Sequence, residues 1–213
     1  IAALSGTVPR FAHHSLLTGP QGEALSKRLG TLALRDLRAQ GIAPMAILSL
    51  MARLGSSDPV ELRASAEEVV AGFDLTKFGS APTKFDAEDL WPLTARYLAT
   101  LDEDAVAEHL DAAGVPPELR GRFWQVVRDN IATLDDLAGW WTVFAEGRSG
   151  TIAEEDADFV AEALSLLPDP PYDEATWGAW TGAVKDATGR KGKGLFMPLR
   201  LAVTGQARGP EMA

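Results

Sequence analysis

The sequence contains no cysteine, which excludes disulfide bonds and thiolate metal sites. This absence fits a reducing compartment, and we predict a cytoplasmic location. No stretch approaches the roughly 18 consecutive apolar residues that a membrane-spanning helix requires, so no membrane partner is expected. The amino terminus also lacks the basic, apolar and cleavage-site order of a signal peptide.

Positive charge is scarce overall, since the formal net charge is −10, but it is concentrated in one stretch. Residues 151–184 hold acidic side chains and no lysine or arginine. The next stretch is basic and contains Lys185, Arg190, Lys191, Lys193, Arg200 and Arg208. Phosphate binding responds to the potential within about 10 Å at ordinary salt, rather than to the whole-chain sum. The basic stretch therefore predicts a surface that binds nucleic acid.

Apolar residues at helical spacing predict a mainly α-helical chain. The first helix is expected over Thr31–Gln40, with Gly41 as its stop. A second helix should start at Pro44, with Ile47, Leu50, Met51 and Leu54 on its apolar face. A third is expected from Pro59, a residue suited to a first helical turn. Its predicted apolar face contains Leu62, Ala66, Val69, Val70 and Phe73.

The second half of the sequence predicts further short helices, over Asp102–Ala113 and from Pro116 onward. Two pairs, Thr133 with Asp136 and Thr151 with Glu154, are close to capping boxes. Residues 189–194 are rich in glycine and lysine and predict an exposed loop. Aromatic and aliphatic residues at helical spacing are assigned mainly to packing rather than to base stacking. These residues are Leu137, Trp140, Trp141, Phe144, Val160, Ala163, Leu164, Leu167, Trp177, Trp180 and Val184.

An extended apolar segment near the amino terminus, which predicts a short strand and a loop, runs through the turn at residues 19–22 into Leu25, Ser26, Lys27 and Arg28. A lysine on a hinged loop can neutralise the charge that develops when pyrophosphate leaves. This segment resembles the second nucleotide-binding signature of class I aminoacyl-tRNA synthetases, in the Lys-Leu-Ser-Lys-Arg form of glutamyl-tRNA synthetases. The match departs at its first position, where Ala24 replaces lysine.

Two further blocks carry the same resemblance. Residues 191–211 look like the stretch near the carboxyl end of the bacterial glutamate enzymes. Phe85, Asp86, Leu90 and Trp91 match a family pattern, whereas Pro92 departs from it. The departure puts the local helix geometry in question, because a proline inside a helix removes a hydrogen-bond donor.

The resemblance implies a function for these residues. The parent enzyme ligates glutamate to tRNA with ATP and magnesium. Lys27 is the catalytic candidate, and Leu25, Ser26, Lys27 and Arg28 are the candidates for ATP contacts. The expected tRNA contacts are Arg35, Arg38, Lys191, Lys193 and Arg200. Neither a metal site in this chain nor a bound cofactor in the fragment alone is expected.

The chain lacks the first class I signature, a His-Ile-Gly-His-like element in a Rossmann-type domain. We therefore expect the chain to be the carboxyl-terminal part of a synthetase. Without the missing amino-terminal catalytic domain it should be inactive. We also expect it to be a monomer. Residues 1–30 are predicted to end the catalytic domain, 31–75 to form a helical stem-contact region, and 76–213 to form an anticodon-binding domain with a possible break near 132–150. Both glutamate and glutamine tRNAs stay open as partners. So does a different class, a non-catalytic adaptor that binds protein through its acidic face.

Overall fold

A computed structural model describes residues 11–25, 33–147 and 150–210. Helices dominate these residues, which confirms the predicted mainly α class. The α-helices are α1 Leu34–Ala39, α2 Pro44–Met51, α3 Ala66–Ala71, α4 Leu90–Thr100, α5 Ala107–Ala112, α6 Arg120–Val127, α7 Asp136–Glu146, α8 Ala157–Ser165, α9 Thr176–Thr188 and α10 Lys193–Thr204. The 3-10 helices are Leu75–Lys77, Ala87–Asp89, Asp104–Val106, Pro117–Leu119, Arg128–Asn130 and Glu154–Asp156. None of the helices in the described ranges is long and apolar enough to cross a membrane.

Two short strands, β1 Leu17–Thr18 and β2 Thr83–Lys84, form a parallel pair. The chain divides into two compact units, residues 1–101 and 102–213, and both strands belong to the first. The division predicted from the sequence, with boundaries near residues 30 and 75, stays a prediction.

The first unit is built on α2 and α4. Ala46 and Leu50 of α2 are buried with Leu90 and Leu93 of α4 in one apolar cluster. Thr94 is also buried in this interior, and its hydroxyl accepts a hydrogen bond from the backbone N–H of Ala43 at 3.2 Å. That bond satisfies a donor which precedes α2 and has no partner inside the helix.

The third helix does not start at Pro59 as predicted. It starts at Ala66, because the Ser65 hydroxyl accepts a hydrogen bond from the Glu68 backbone N–H at 3.3 Å. The Glu68 carboxylate in turn accepts from the Ala64 N–H at 3.0 Å, so the pair acts as a capping box. Val70 and Phe73, expected on a buried face, are exposed.

Pro92 leaves its helix intact. It occupies the first turn of α4, which continues to Thr100. First-turn N–H groups have no intrahelical acceptor, so a proline there removes no helical hydrogen bond. The departure from the family pattern is therefore compatible with a regular helix.

The second unit contains a core formed by α8, α9 and α10. Phe159, Ala163, Trp180, Val184 and Leu199 are all buried in it. The indole N–H of Trp180 donates to the backbone oxygen of Ala163 at 2.7 Å, so the buried ring has no unsatisfied polar atom. The predicted packing role of Trp180 and Val184 is confirmed.

Two residues assigned to packing faces are instead half exposed, Phe144 at 51% and Leu164 at 48%. The buried positions beside them are taken by Val143 and Phe159. Phe144 contacts Phe123 edge-to-face at 5.5 Å between ring centroids, so only part of its ring is covered. Leu137, Val160 and Ala163 of the same predicted faces are buried, so the packing prediction is confirmed for these three residues.

The two predicted capping pairs behave differently. The Asp136 carboxylate accepts from the backbone N–H groups of Ala132 and Thr133 at 2.8 and 3.0 Å. Thr151 makes no such cap, because the 3-10 helix after it begins at Glu154 with Ala153 in the cap position and no side-chain cap bond.

The predicted basic loop is shorter than expected, because α10 already begins at Lys193. Gly192, with φ of +54°, forms the turn into the helix. Pro198 lies inside α10 and provides no N–H for the Gly194 carbonyl one turn earlier. The Arg190 guanidinium donates to that carbonyl at 3.3 Å, which explains how the helix tolerates the proline.

Candidate functional site

The segment that leads to Lys27 is anchored by β1. The Thr83 N–H donates to the Leu16 carbonyl at 2.9 Å, and the Phe85 N–H donates to the Thr18 carbonyl at 2.8 Å. Thr18 also bridges to Ala24 in antiparallel fashion, so the chain turns back on itself. The short strand predicted before the loop is present, and its pairing with residues 83–84 was not foreseen.

The turn at residues 19–22 is closed by Glu23. The Gly19 N–H donates to the Glu23 carbonyl at 2.8 Å, and the Glu23 carboxylate accepts from the Gln21 N–H at 3.0 Å. A Cβ on Gly19 would lie within 1.7 Å of a Glu23 carboxylate oxygen, so this glycine leaves room for the carboxylate. The turn is therefore a defined structure at the base of the loop.

Of the four predicted ATP contacts, Leu25 is described and packs against the apolar core of the first unit. Its position makes it an anchor for the loop. Ser26, Lys27 and Arg28 lie outside the described residues.

Arg35 and Arg38, two predicted tRNA contacts, both lie exposed on α1. No ion pair within the described part of the chain involves either guanidinium, so neither is engaged by the neighbouring Asp36. Both charges therefore face solvent in the first unit.

The basic stretch of the second unit splits into inward and outward charges. Arg190 pairs with Asp156 and lies 4.0 Å above the centre of the Phe159 ring, so it braces α8 against the start of α10. Lys185, Lys191, Lys193 and Arg208 are exposed. The continuous basic stripe expected from the sequence is thus carried mainly by lysines.

Arg200 holds the end of the described chain. Its Nη2 donates to the Pro210 carbonyl at 2.7 Å, whereas its Nη1 is buried and has no hydrogen-bond partner among the described groups. Gly209 lies against Trp140, where a Cβ would come within 2.2 Å of the indole. Arg200 therefore braces this segment of the second unit.

Arg200 also lines a cavity of about 420 Å³ in the second unit. Its aromatic walls are Trp140, Phe144 and Tyr172, and its charged walls are Arg122, Arg200, Asp173 and Glu174. Positive and negative side chains can both hydrogen-bond to the edge of a nucleobase, and a half-exposed ring can stack on its face. The cavity therefore suits a nucleobase better than a bare phosphate.

Asp173 keeps its negative charge in this wall. A hydrogen bond from the Thr176 hydroxyl at 2.8 Å, followed by one from the Ala175 N–H at 3.0 Å, holds the pKa of the Asp173 carboxyl below its usual value. The cavity therefore presents a fixed acceptor opposite its arginines.

The predicted tRNA contacts of the second unit do not all line one site. Lys193 lines another cavity of about 410 Å³ with Asp156, Met197 and Pro198, separate from the one that Arg200 lines. Lys191 lines neither of these two cavities. Arg122 and Tyr172 were missed by sequence reasoning, because neither belongs to a recognisable motif.

No group of three histidine, aspartate or glutamate side chains within the described ranges is arranged to hold a metal ion. The described residues thus give no donor set for magnesium.

Family comparisons match both halves of the chain. Residues 87–213 match the anticodon binding domain, and residues 1–92 match the catalytic domain of class I tRNA synthetases of the E and Q type. Glutamate–tRNA ligase 1 of Ruegeria pomeroyi is 68% identical over 213 residues, which are 100% of this chain and 48% of that protein. Glutamate–tRNA ligase 1 of Paracoccus denitrificans is 63% identical over 213 residues, again 48% of its length. The chain spans about half the length of the curated relatives it matches.

Solved structures show the same fold. The glutamate-tRNA synthetase of Elizabethkingia anophelis superposes with a TM-score of 0.70 at 22% identity, over 96% of this chain and 47% of that one. The glutamate tRNA ligase of Elizabethkingia meningosepticum, in complex with its amino acid, gives 0.69 at 23% identity, over 96% and 47%.

Proposed function

Because the chain belongs to the anticodon binding domain family, we propose that it is the carboxyl-terminal, tRNA-binding part of a glutamate–tRNA ligase. The observation that carries this proposal is the cavity beside Arg200, which lies within the residues that match the anticodon-binding domain. It combines exposed aromatic surface with charged groups of both signs. Unpaired anticodon bases are recognised by these two kinds of group.

In this function the Phe144 ring stacks on an unstacked base, and the Arg200 guanidinium, which lines the same cavity, donates to the base edge. The bond from Nη2 to Pro210 fixes the plane of the guanidinium, so the donor is oriented before the base arrives. The exposed Lys191 and Lys193 contact the tRNA backbone, where point charges suffice. Arg35 and Arg38 contact phosphates of the stem from the first unit.

Binding of this chain to tRNA tests the proposal. Stacking of one base on an aromatic side chain is worth ~1–3 kcal/mol, so Phe144→Ala should raise the Kd for a glutamate tRNA about 5- to 150-fold. Leu164→Ala is the matched control, because Leu164 is similarly exposed and does not line this cavity. Fluorescence anisotropy with a labelled transcript, repeated at several salt concentrations, measures both.

Changing the anticodon of the transcript should raise the Kd of the unsubstituted chain, because contacts to the base edges are lost, whereas any base can still stack on the Phe144 ring. Equal Kd values for matched and changed anticodons in the unsubstituted chain would reject anticodon binding. They would favour a protein-binding adaptor instead. The same series with a glutamine tRNA determines which isoacceptors this part of the enzyme accepts.

The first unit supplies the loop for the chemical step. When a glutamate carboxylate oxygen attacks the α-phosphorus of ATP, the bond to pyrophosphate breaks and negative charge builds on the leaving oxygens. The Lys27 ammonium, carried on the loop that follows Leu25, neutralises that charge. Ser26 and Arg28 contact the same phosphates, and magnesium accompanies the nucleotide in the parent enzyme.

Lys27→Ala in a full-length glutamate–tRNA ligase that carries this chain tests that role. Removing one group that stabilises developing charge costs about 10²- to 10³-fold in rate, so adenylate formation should slow by that factor. The Kd for tRNA should stay the same, because Lys27 does not contact tRNA in this proposal. Pre-steady-state kinetics measures the first quantity, and equal activation rates in the two proteins would exclude the role. The proposed parent enzyme is cytoplasmic and monomeric.

A further inference from the structure

Two buried hydroxyl groups fasten the strand that precedes the Lys27 loop. Ser15 is only 2% exposed, and the Thr83 hydroxyl donates to its Oγ at 2.9 Å, across 68 residues of sequence. The Thr18 hydroxyl, on β1, donates a hydrogen bond to the Thr83 carbonyl at 3.5 Å. Ser15 and Thr83 thus join two distant segments at one point.

Gly55 makes room for this pair. Its φ is +86°, and a Cβ there would lie 2.5 Å from the Ser15 Oγ and 2.8 Å from the Thr83 Oγ1. The Gly55 carbonyl also accepts from the Gly79 N–H at 3.0 Å, which fixes the connector that leads to Thr83. Any larger residue at position 55 would therefore push the two hydroxyls apart.

Ser15 is connected to the segment before Lys27 through β1, its pairing with β2 and the bridge from Thr18 to Ala24. From Ser15 the chain enters β1, and Thr18 then bridges back to Ala24. Leu25 follows directly and packs on the apolar core. Lys27 lies two residues beyond Leu25 in the sequence, so these contacts fix the last described residue before it.

We propose that Gly55 and the Ser15–Thr83 hydroxyl pair are positioning residues for the Lys27 loop, an inference that rests on the proposed function of that loop. They act through Lys27 and touch neither ATP nor glutamate. A displacement of about 1 Å can cost about 10²-fold in rate when it misplaces a group relative to the reacting atoms. The pair therefore affects the chemical step rather than binding of tRNA.

The test uses a full-length glutamate–tRNA ligase that carries this chain. Thr83→Val keeps the shape of the side chain and removes the hydroxyl, which leaves the Ser15 Oγ buried without its donor. We expect kcat for ATP-dependent glutamate activation to fall about 10- to 100-fold, with the tRNA Kd unchanged. Thr83→Ser retains the hydroxyl and should restore most of the rate. A loss of the same size in both variants would overturn the proposal.

A double-mutant cycle with Lys27→Ala separates positioning from general destabilisation. If Thr83 acts through Lys27, Thr83→Val should cause little further loss once Lys27 is absent. Equal fold losses in both backgrounds would overturn the inference. If Lys27→Ala alone had no effect, the proposed role of the loop would fail instead, so the two failures are distinguishable.

Hydrogen exchange in the 213-residue chain gives an independent readout that needs no activity. Thr83→Val and Gly55→Ala should each speed exchange of the Gly19 and Gly22 amides, which are hydrogen-bonded in the turn beyond β1. The Ala46 amide, bonded within the start of α2, should exchange at an unchanged rate. Faster exchange everywhere, or no change at the turn, would contradict local positioning.

Discussion

The two compact units bury different kinds of side chain. Among the described residues, the first unit buries more polar and charged side chains, and the second buries two tryptophans, Trp124 and Trp180. The buried polar or charged residues are Ser15, Thr18, Ser49, Arg53 and Thr94 in the first unit and Thr133 and Thr181 in the second. Hydrogen bonds of the first group reach far along the sequence, for example 51 residues from Ala43 to Thr94. In the second unit the buried Thr181 bonds to Trp177, within its own helix.

This difference follows from the kinds of segment that each unit packs together. The first unit fixes loops and short strands, and buried hydrogen bonds with defined geometry specify such segments. Arg53 shows the same principle, since its Nη1 bonds both the Asp58 carboxylate and the Gly72 carbonyl. The second unit packs helices, and large aromatic side chains supply the buried apolar area for that.

Truncating Trp180 should give the largest loss of stability, and the loss should be confined to the second unit. Trp180→Ala removes a ring that is 2% exposed and should lower the free energy of unfolding by ~3–5 kcal/mol. Urea unfolding followed by circular dichroism measures the loss. Trp180→Phe keeps most of the packing and removes the bond to Ala163, so its loss should be clearly smaller.

Hydrogen exchange locates the effect of the same variant. Amides of α9 and α10 should exchange faster, whereas those of α2 and α4 should keep their rates. Equal acceleration in both units would mean that the units do not unfold separately, and the comparison between them would then lose its basis.

The corresponding change in the first unit removes a buried hydroxyl. Thr94→Val conserves the side-chain shape but leaves the Ala43 N–H without its acceptor, which should cost ~1–3 kcal/mol. Thr100→Val on the same helix is the control, because the Thr100 hydroxyl is exposed and bonds locally to the Tyr97 carbonyl. Thermal unfolding that gave equal losses for the two variants would contradict the claim that buried hydroxyls hold the first unit.

Sequence patterns predicted the parts of the fold that depend on local signals. The stop at Gly41, the start at Pro44 and the burial of Trp180 each follow from residues close in sequence. The start of α3 was not predicted, because Pro59 favours an earlier helix start, whereas Ser65 and Glu68 cap the helix at Ala66.

The contacts between distant segments had no sequence signal. Nothing in residues 15 or 83 predicts that their hydroxyls meet, since the pairing depends on how the intervening helices pack. The cavity beside Arg200 likewise joins residues 122, 144 and 172, which share no period or motif. Arg200 was found through the family resemblance, whereas its bond to Pro210 required the structure.

The smallest expected effect is a change in the free energy of unfolding at acidic pH. It is predicted for one loop carboxylate in each unit. Hydrogen bonds from the Thr76 hydroxyl to Asp74, and from the Thr176 hydroxyl to Asp173, lower the pKa values of both carboxyls. The folded-state pKa of each carboxyl lies below the ordinary value of about 3.9. Each ionised carboxylate therefore stabilises the folded state at pH values above about 3.9. This stabilisation is lost as the pH falls through the folded-state pKa. Asp74→Asn and Asp173→Asn should therefore be slightly less stable than the unsubstituted chain at pH 6, and the difference should shrink as the pH falls below about 3.9. Asp169→Asn, at an exposed residue with no side-chain hydrogen bond among the described groups, serves as the control.

Tryptophan fluorescence during urea unfolding separates the two units in this experiment, because Trp91 is the only tryptophan that precedes Asp102 in the sequence. The fluorescence midpoint should follow Asp173→Asn more closely than Asp74→Asn. A pH-independent difference for either variant would mean that its carboxylate acts through shape rather than charge. The two caps would then belong with the neutral hydroxyl contacts of the first unit.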